Sequence, residues 1–366
     1  MVGCPEGQSP SGLNPAPHPA PSIPPLRRGP GRGTQPRMTH ASRRILLGGV
    51  VAGLAAAPFL SRPADAQVQG WEAFLDGVRA DARRGGVSAA TLSRALAGLR
   101  PNQRVIELDR RQAEGGLAWE DYRDRIMVSA TRVANGQRHF AENRRLLDAI
   151  EDRYRVSPRV IVAIWGVETG FGANTGGFGV IEALATLAWE GRRASYFRGE
   201  LMSALRILEH GHVSAERMRG SWAGAMGQPQ FMPSNFERLA VDFDGDGRRD
   251  IWDSRADALA SIAHYFQRSG WREGEPWGRE TLPPPGFDIE RADTETRRPL
   301  REFGRLGFRA ANGGPLPGHE IETAVVVPAR SAGQVFLGHH NLRVIRRYNS
   351  PVNYGLAVGL LSDRVA

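Results

Sequence analysis

One carboxylate of this chain stands in a setting suited to acid catalysis. Glu168 lies in the stretch WGVETGFG, residues 165–172, among glycines, aromatic residues and a valine. An apolar setting and the negative end of a helix dipole both disfavour an ionised carboxylate, so both raise its pKa. A carboxyl group that stays protonated can donate a proton to the oxygen of a breaking glycosidic bond. The alternative is a solvated glutamate at a helix end with no catalytic role.

A second group of carboxylates has the spacing of a calcium-binding loop, in the stretch DFDGDGRRDIWD, residues 242–253. Positions 1, 3, 5, 7 and 9 of such a loop are here Asp242, Asp244, Asp246, Arg248 through its carbonyl, and Asp250, and Gly247 supplies the turn at position 6. Position 12 is Asp253, whose side chain is shorter than the usual glutamate, so Asp257 is an alternative distal ligand. We predict a structural Ca²⁺ ion and no organic cofactor, against the alternative of a metal-free acidic turn.

The helix that carries Glu168 has clear signals at both ends. Ser157 is a favourable N-cap, and Pro158 is tolerated at the first helical position. Apolar residues at helical spacing follow, and Gly170 is expected to end the helix. Glu168 is therefore predicted to lie in the last turn.

The remaining pattern predicts a mainly α (α+β) fold. Apolar residues recur at intervals of three and four from Trp71 to about Leu99, from Tyr122 to Ile150 and from Arg193 to His210, as in amphipathic helices. The segment 220–236, GSWAGAMGQPQFMPSNF, has too many glycines and prolines for a continuous helix and too many apolar residues for a solvent loop. After Trp277, short β-branched runs broken by Gly and Pro predict a small β-containing part.

The net charge of +9 does not indicate nucleic-acid binding. Much of it lies in residues 1–66, where seven arginines stand against two carboxylates, and no basic run with interleaved aromatic residues follows. Four further carboxylates lie on or beside predicted amphipathic helices and are interpreted as surface charges: Glu182, Glu190, Glu200 and Glu209.

The N-terminal region is typical of an exported protein. Residues 1–37 are rich in Pro, Gly and Ser, and after Met38 two arginines precede an apolar run, Ile45–Leu60, and a small-residue cleavage pattern that ends at Ala66. The run is shorter than the roughly 20 residues of a membrane span, so a cleaved signal is favoured over a membrane anchor. The only cysteine, Cys4, lies upstream, which predicts a soluble periplasmic chain without a lipid anchor. The twin-arginine and general routes, and starts at Met1 and Met38, stay open.

Together these segments resemble the lytic murein transglycosylase B family, glycoside hydrolase family 103. The resemblance rests on WGVETGFG, Asn174-Thr175-Gly176, the segment 220–236, AVDFDGDGRRDIW, residues 258–266 with Gly270-Trp271, PWG at 276–278 and RRYNSPVNY. It covers about Trp71 to Val365 and implies a lysozyme-like core with an additional helical domain and a small β-containing subdomain.

The composition of the N-terminal region and the resemblance together give the predicted domain boundaries. They are a disordered or non-native extension (1–37), an export signal (38–66), a helical domain (67–155), a lysozyme-like catalytic core with the calcium loop (156–275), a small β-rich subdomain (276–340) and a C-terminal helical segment that completes the groove (341–366).

The activity that the resemblance implies is cleavage of the β-1,4 bond between N-acetylmuramic acid (MurNAc) and N-acetylglucosamine (GlcNAc), with formation of 1,6-anhydro-MurNAc and Glu168 as the sole acid/base. The residues implied to line the sugar groove are Ser221, Gln230, Tyr348, Asn349 and Tyr354. Asp257 is favoured over Asp253 as the distal calcium ligand, and His264 departs from the asparagine of the family pattern. The implied partners are peptidoglycan glycan strands, bound by a monomer. The alternatives are a muramidase that hydrolyses the same bond and a non-catalytic peptidoglycan-binding protein.

Overall fold

Helices dominate the part of the chain that the computed structural model describes, which is residues 64–111, 117–190, 192–290, 292 and 294–366. The predicted extension 1–37 and all but the last three residues of the predicted export signal lie outside these ranges. The helices are Ala64–Arg84, Ala89–Ala95, Gln103–Arg111, Trp119–Asp121, Ala130–Glu142, Arg144–Tyr154, Pro158–Thr169, Val180–Glu190, Ala194–Glu209, Pro233–Leu239, Arg255–Arg268, Leu300–Arg305, His340–Tyr348 and Val352–Ser362, with one π-helical stretch at Tyr122–Met127.

The helix Pro158–Thr169 begins and ends where the sequence predicts. Ser157 is its N-cap residue, Pro158 is its first residue, and Gly170 follows it with the left-handed φ of 59° that glycine adopts without a Cβ penalty. Nine of its twelve residues are buried, so the helix is apolar on nearly all sides. It packs against the helices Ala130–Glu142, Arg255–Arg268 and Val352–Ser362, which hold its C-terminal end in a fixed position.

Within the described ranges, the strands form two small antiparallel sheets. The strands of the larger sheet are, in spatial order, Arg298–Pro299, Glu322–Val326, Val335–Gly338, Gly278–Leu282 and Arg309–Ala310. Its register pairs Glu280 with Phe336 and Ala324 with Gly338. The smaller sheet pairs Phe178–Gly179 with Arg219–Gly220 and so connects the loop after the Glu168 helix to the glycine-rich segment 220–236. The mainly α fold with a small β-containing part is confirmed.

Three clusters of buried apolar side chains underlie these elements. The first joins the helices Ala64–Arg84 and Ala89–Ala95 to Val180–Glu190 and Ala194–Glu209. The second surrounds the Glu168 helix with the helices Arg144–Tyr154, Arg255–Arg268, His340–Tyr348 and Val352–Ser362, and the third lies under the larger sheet. Tyr348 packs against both the first and the second cluster, so the last residue of one helix marks their junction. The domain boundaries themselves stay predictions.

None of the helices in the described ranges has both the length and the apolar character that a bilayer span requires.

Candidate active site

Glu168 lies in the last turn of its helix, and part of its side chain remains exposed. The hydroxyl of Tyr354, a buried residue of the helix Val352–Ser362, donates a hydrogen bond to Glu168 Oε1. Burial raises the pKa of Glu168 from its ordinary value of 4.5 to about 7, although the hydrogen bond from Tyr354 acts in the opposite direction because it stabilises the ionised form. With this pKa, Glu168 can be present in both its protonated and its ionised form at neutral pH.

Neutral hydroxyl groups, rather than charges, surround Glu168. Burial raises the pKa of Tyr348 and of Tyr354 well above the usual value, and the negative charge of Glu168 adds to both shifts. Tyr122 shows the same two effects in the same order. Within the described ranges, no second carboxylate and no cation contributes to the pKa shift of Glu168. The pKa of Glu168 is thus set by burial and by one neutral hydroxyl group.

The sequence reasoning missed Tyr122, which belongs to the π-helical stretch Tyr122–Met127. One-turn π-helical segments occur mostly inside helices and often at functional sites, because they shift the register of the side chains that follow. The amphipathic pattern from Tyr122 to Ile150 indicated only a scaffold helix, and no local residue type signals a π-turn. The signal that would have found Tyr122 lies in the tertiary structure.

Gln228 fixes the Glu168 helix to the glycine-rich segment, and it too was missed. Its side-chain Oε1 accepts a hydrogen bond from Trp165 Nε1 at 2.9 Å, and its backbone carbonyl accepts one from Thr169 Oγ1 at 3.0 Å. Its Nε2 donates to the carbonyl of Trp252 at 3.0 Å, and only 7 % of Gln228 is exposed. All polar atoms of this amide side chain have partners, so Gln228 sets the position of the helix end where Glu168 lies.

The backbone of the glycine-rich segment packs directly against the backbone of the loop after Glu168. A Cβ atom on Gly176, whose φ is 99°, would lie 2.1 Å from the carbonyl oxygen of Gly220, so this contact requires glycine. Gln230 has the uncommon φ of 52°, and its Nε2 donates to the carbonyls of Thr175 and Gly227 at 3.0 Å each. Gln230, one of the residues predicted to line the groove, therefore contacts the loop that follows Glu168.

The other residues of the predicted groove set lie on neighbouring elements. Ser221 is half-buried in a tight turn and accepts a hydrogen bond from the Ala225 N–H at 3.1 Å through its Oγ. Tyr348 donates a hydrogen bond to the carbonyl of Pro229 at 2.5 Å, so the end of its helix contacts the same glycine-rich segment. Asn349 follows Tyr348 and is exposed.

The predicted calcium loop places three of its carboxylates together. Asp242, Asp244 and Asp257 each offer an oxygen, and these oxygens lie within 4.8 Å of one another. Asp257 is fully buried and accepts hydrogen bonds from the N–H groups of Phe243 and Asp250 at 2.7 Å each. Burial raises the pKa of Asp257, while these N–H groups act against that shift. Three carboxylate oxygens at this spacing suit Ca²⁺, a hard cation that takes oxygen ligands.

The remaining predicted ligands make other contacts. The Asp246 carboxylate pairs with the Arg248 guanidinium at 2.9 Å. Asp250 accepts hydrogen bonds from the N–H groups of Trp252 and Asp253, at 3.0 and 2.9 Å. Asp253 forms an ion pair with Arg217 on the surface. Of the two candidates for the distal position, Asp257 is the one that lies with Asp242 and Asp244.

Two side chains differ from the simplest interpretation of the sequence. Glu200 was interpreted as a surface charge, and this is wrong: only 5 % of it is exposed, and its carboxylate accepts hydrogen bonds from the N–H and the hydroxyl of Ser234, at 2.9 and 2.7 Å. The helix Pro233–Leu239 begins beside it, so the carboxylate satisfies a free N–H group there. His264, at the position that departs from the family pattern, contacts the Leu239 carbonyl through Nδ1 at 2.9 Å.

A mainly helical fold with a glutamate of raised pKa at a helix end, beside tyrosines, fits the class of lysozyme-like enzymes that cleave glycans. Comparison with known proteins identifies the family within this class. Residues 70–363 match the family model described as transglycosylase SLT domain. The chain is 34% identical to the membrane-bound lytic murein transglycosylase B of Escherichia coli K12 over 255 residues. This alignment covers 68% of this chain and 68% of that protein.

Solved structures agree with this match. SltB3 from Pseudomonas aeruginosa, in complex with NAG-NAM-pentapeptide, superposes with a TM-score of 0.77 at 45% identity over 81% of this chain and 79% of that one. The Escherichia coli lytic transglycosylase Slt35, in complex with calcium, gives a TM-score of 0.67 at 30% identity over 84% of this chain and 94% of that one. The chain belongs to the transglycosylase SLT family, and it is a lytic murein transglycosylase, an enzyme that cleaves the glycan strands of peptidoglycan.

Proposed function

We propose that Glu168 is the single acid/base of this enzyme, and that it cleaves the β-1,4 bond between MurNAc and GlcNAc with formation of 1,6-anhydro-MurNAc. The observation that carries the proposal is the pKa of about 7 at Glu168, with no second carboxylate acting on it in the described part of the chain. A residue that must first donate and later accept a proton works best when its pKa lies near the working pH.

The reaction needs two proton transfers at one carboxyl group. In the first, protonated Glu168 gives its proton to the glycosidic oxygen while the bond from that oxygen to C1 of MurNAc breaks. In the second, the Glu168 carboxylate takes the proton from the C6 hydroxyl of the same sugar while the C6 oxygen forms a bond to C1. No water is consumed, and Glu168 ends in the protonation state in which it began.

Tyr354 positions Glu168 for both steps. Its hydroxyl donates to Oε1, which restrains the carboxyl group and stabilises the charged form that exists between the two transfers. Glu168 Oε2 has no hydrogen-bond partner in the described ranges, so this oxygen is available to the substrate.

We further propose that the sugar groove runs along Ser221, Gln230, Tyr348 and Asn349. The contacts of Gln230 with Thr175 and of Tyr348 with Pro229 support this proposal. Tyrosine rings suit stacking on sugar faces, and amide groups suit hydroxyl and N-acetyl groups. Support for the substrate comes from SltB3, whose structures contain NAG-NAM-pentapeptide and NAG-anhNAM-pentapeptide.

We further propose that Asp242, Asp244 and Asp257 hold a structural Ca²⁺ ion. An ion at this place would offset most of the charge of three clustered carboxylates and fix the loop against the helix Arg255–Arg268. The Slt35 structure in complex with calcium supports the choice of ion. Millimolar Ca²⁺ is expected to raise the melting temperature by a few degrees, since a ligand that binds only the folded state stabilises it. No shift at 10 mM would contradict the site.

The proposed location is the periplasm, where peptidoglycan lies, after cleavage of the export signal near Ala66. The domain boundaries at 67–155, 156–275, 276–340 and 341–366, and the monomeric state, complete the proposal.

Product analysis on purified sacculi tests the proposed chemistry. Wild type is expected to release anhydro products, and products one water heavier would identify a hydrolase instead. The Glu168→Gln variant keeps the shape of the side chain but has no transferable proton, so its rate is expected to fall about a thousandfold or more. Full turnover by Glu168→Gln would contradict the assigned role, and undiminished binding of sacculi by this variant would show that the groove is intact.

A further inference from the structure

Three helices end around one open cavity of about 530 Å³. They are Pro233–Leu239, Arg255–Arg268 and His340–Tyr348. Each contributes an exposed arginine from its last turn to the lining: Arg238, Arg268 and Arg347. We call this the arginine cavity. Asn235, Tyr265 and Ser269 also line it, and none of the described residues in its lining carries a carboxylate.

Helix capping explains only part of this charge. Arginine is favoured near a helix C-terminus, and Arg238 Nε and Arg347 donate hydrogen bonds to the carbonyls of Ser234 and Ser269, at 3.2 and 2.5 Å. Arg268 has no hydrogen-bond or ion-pair partner in the described part of the chain. Each helix end carries about −0.5 charge, so three guanidinium groups leave a net balance of roughly +1.5. The cavity can therefore attract an anion.

The arginine cavity lies next to the proposed sugar groove. Tyr265 forms its inner wall, and the ring of Tyr265 lies 4.6 Å from that of Tyr348, centroid to centroid. The Tyr265 hydroxyl donates to the carbonyl of Arg347 at 2.5 Å. Burial raises the pKa of Tyr265, while a hydrogen bond with Ser269 and the charges of Arg238 and Arg347 lower it. The positive potential of the cavity thus reaches the aromatic layer that separates it from the groove.

We propose that the arginine cavity binds the carboxylates of the peptide stems that MurNAc carries. This inference rests on the proposed function, since the glycan must first occupy the groove beside Tyr348. The planar guanidinium group binds a carboxylate through two parallel hydrogen bonds, and three such groups suit a peptide with several carboxylates. An extended stem of five residues spans about 17 Å, which is long enough to leave the sugar groove and reach a cavity one ring away.

Three substrates test this inference with the full-length enzyme: glycan strands with intact stems, the same strands with their stem carboxylates amidated, and strands stripped of peptide. The variants are Arg268→Gln, Arg347→Gln and their combination. Arg305→Gln is the matched control, because Arg305 is an exposed arginine in the last turn of another helix, Leu300–Arg305. Melting temperatures show whether each variant is folded.

On intact stems, kcat/KM is expected to fall about threefold to fivefold in each single variant and about tenfold in the double variant, as for exposed ion pairs. On amidated and stripped strands the same variants should match wild type, and Arg305→Gln should match it on all three substrates. Equal losses on all three substrates, losses that persist on amidated stems, or no loss on intact stems would each overturn the inference. The products of the wild-type enzyme distinguish the two proposals. If no substrate gives an anhydro product, the proposed function is contradicted. If anhydro product forms but the arginine variants lose no activity specific to intact stems, only this inference is contradicted.

Discussion

Replacement of Glu168 by glutamine should stabilise the folded protein at alkaline pH, even as it abolishes turnover. The pKa of Glu168 is about 7 in the folded state, against an ordinary value of 4.5 that applies to the unfolded chain. A carboxyl group whose pKa is raised by folding holds its proton more tightly in the folded state than in the unfolded state. Between the two pKa values, a rise in pH therefore lowers the free energy of unfolding. This destabilisation is absent below pH 4.5 and complete above pH 7.

The magnitude follows from the two pKa values. One unit corresponds to about 1.4 kcal/mol, so ionised Glu168 costs about 3 kcal/mol at pH 8 and about 1 kcal/mol or less at pH 5. Glutamine carries no charge, and its side-chain oxygen can still accept the Tyr354 hydrogen bond. The Glu168→Gln variant should therefore gain about 3 kcal/mol in the free energy of unfolding at pH 8 but little at pH 5.

Urea denaturation of wild type and Glu168→Gln at pH 5 and pH 8 measures this difference, because other titrating groups act on both proteins alike. Glu72→Gln is the control: Glu72 is an exposed glutamate, and its loss should change stability by less than about 0.5 kcal/mol at either pH. If Glu168→Gln were no more stable than wild type at pH 8, the burial argument for its raised pKa would be refuted, whatever the variant's activity.

Two further changes test the surroundings of Glu168, and a third tests the proposed calcium site. Tyr354→Phe removes the hydrogen bond that lowers the pKa of Glu168, so the alkaline limb of the kcat/KM profile should move to higher pH by about one unit. Gln228→Leu leaves the buried Trp165 N–H without a partner and should lower the free energy of unfolding by about 3 kcal/mol, measured in urea. Asp257→Asn should abolish the rise in melting temperature with Ca²⁺, measured by calorimetry.

Each of these has an outcome that contradicts it. An alkaline limb that stays in place or moves to lower pH in Tyr354→Phe would show that the hydroxyl does not act on the ionised carboxylate. Stability within about 0.5 kcal/mol of wild type in Gln228→Leu would remove Gln228 from its positioning role. For the metal site, Asp152→Asn is the control, an exposed aspartate that should keep the full response to Ca²⁺, and retention of that response by Asp257→Asn would contradict the proposed ligand set.

The features that could be predicted from sequence are those with local signals. Pro158 and Gly170 mark the ends of one helix through backbone constraints that act within a few residues, so the position of Glu168 in the last turn followed directly. The predicted calcium loop is likewise a short continuous stretch, and two of its carboxylates, Asp242 and Asp244, lie together with Asp257, the distal residue that the family resemblance favoured. The mainly α fold followed from the helical period of the apolar residues.

What the sequence did not predict depends on contacts between distant segments. Gln228 joins the glycine-rich segment to Trp165 across 63 positions, and Glu200 meets Ser234 across 34. An amide or a carboxylate on an amphipathic helix looks the same in sequence whether its partner is water or a backbone N–H from another element. The π-helical turn that carries Tyr122 likewise has no signal in the sequence, because it depends on how the chain packs and not on residue type.

In the described part of the chain no charged group shifts the pKa of Glu168, and this suits the chemistry that we propose for it. A cation beside this carboxylate would lower its pKa and leave it ionised, unable to protonate a leaving oxygen, whereas a second carboxylate would compete for the same proton. Burial raises the pKa of Glu168, and the neutral hydroxyl of Tyr354 lowers it in part. The resulting pKa is about 7, close to neutral pH. Because the pKa of Tyr354 and of Tyr348 is itself well above the usual value, these neighbours stay neutral through the whole cycle. This arrangement suits the role that we propose for Glu168 in both proton transfers, because the two tyrosines keep their charge when the glutamate changes its own.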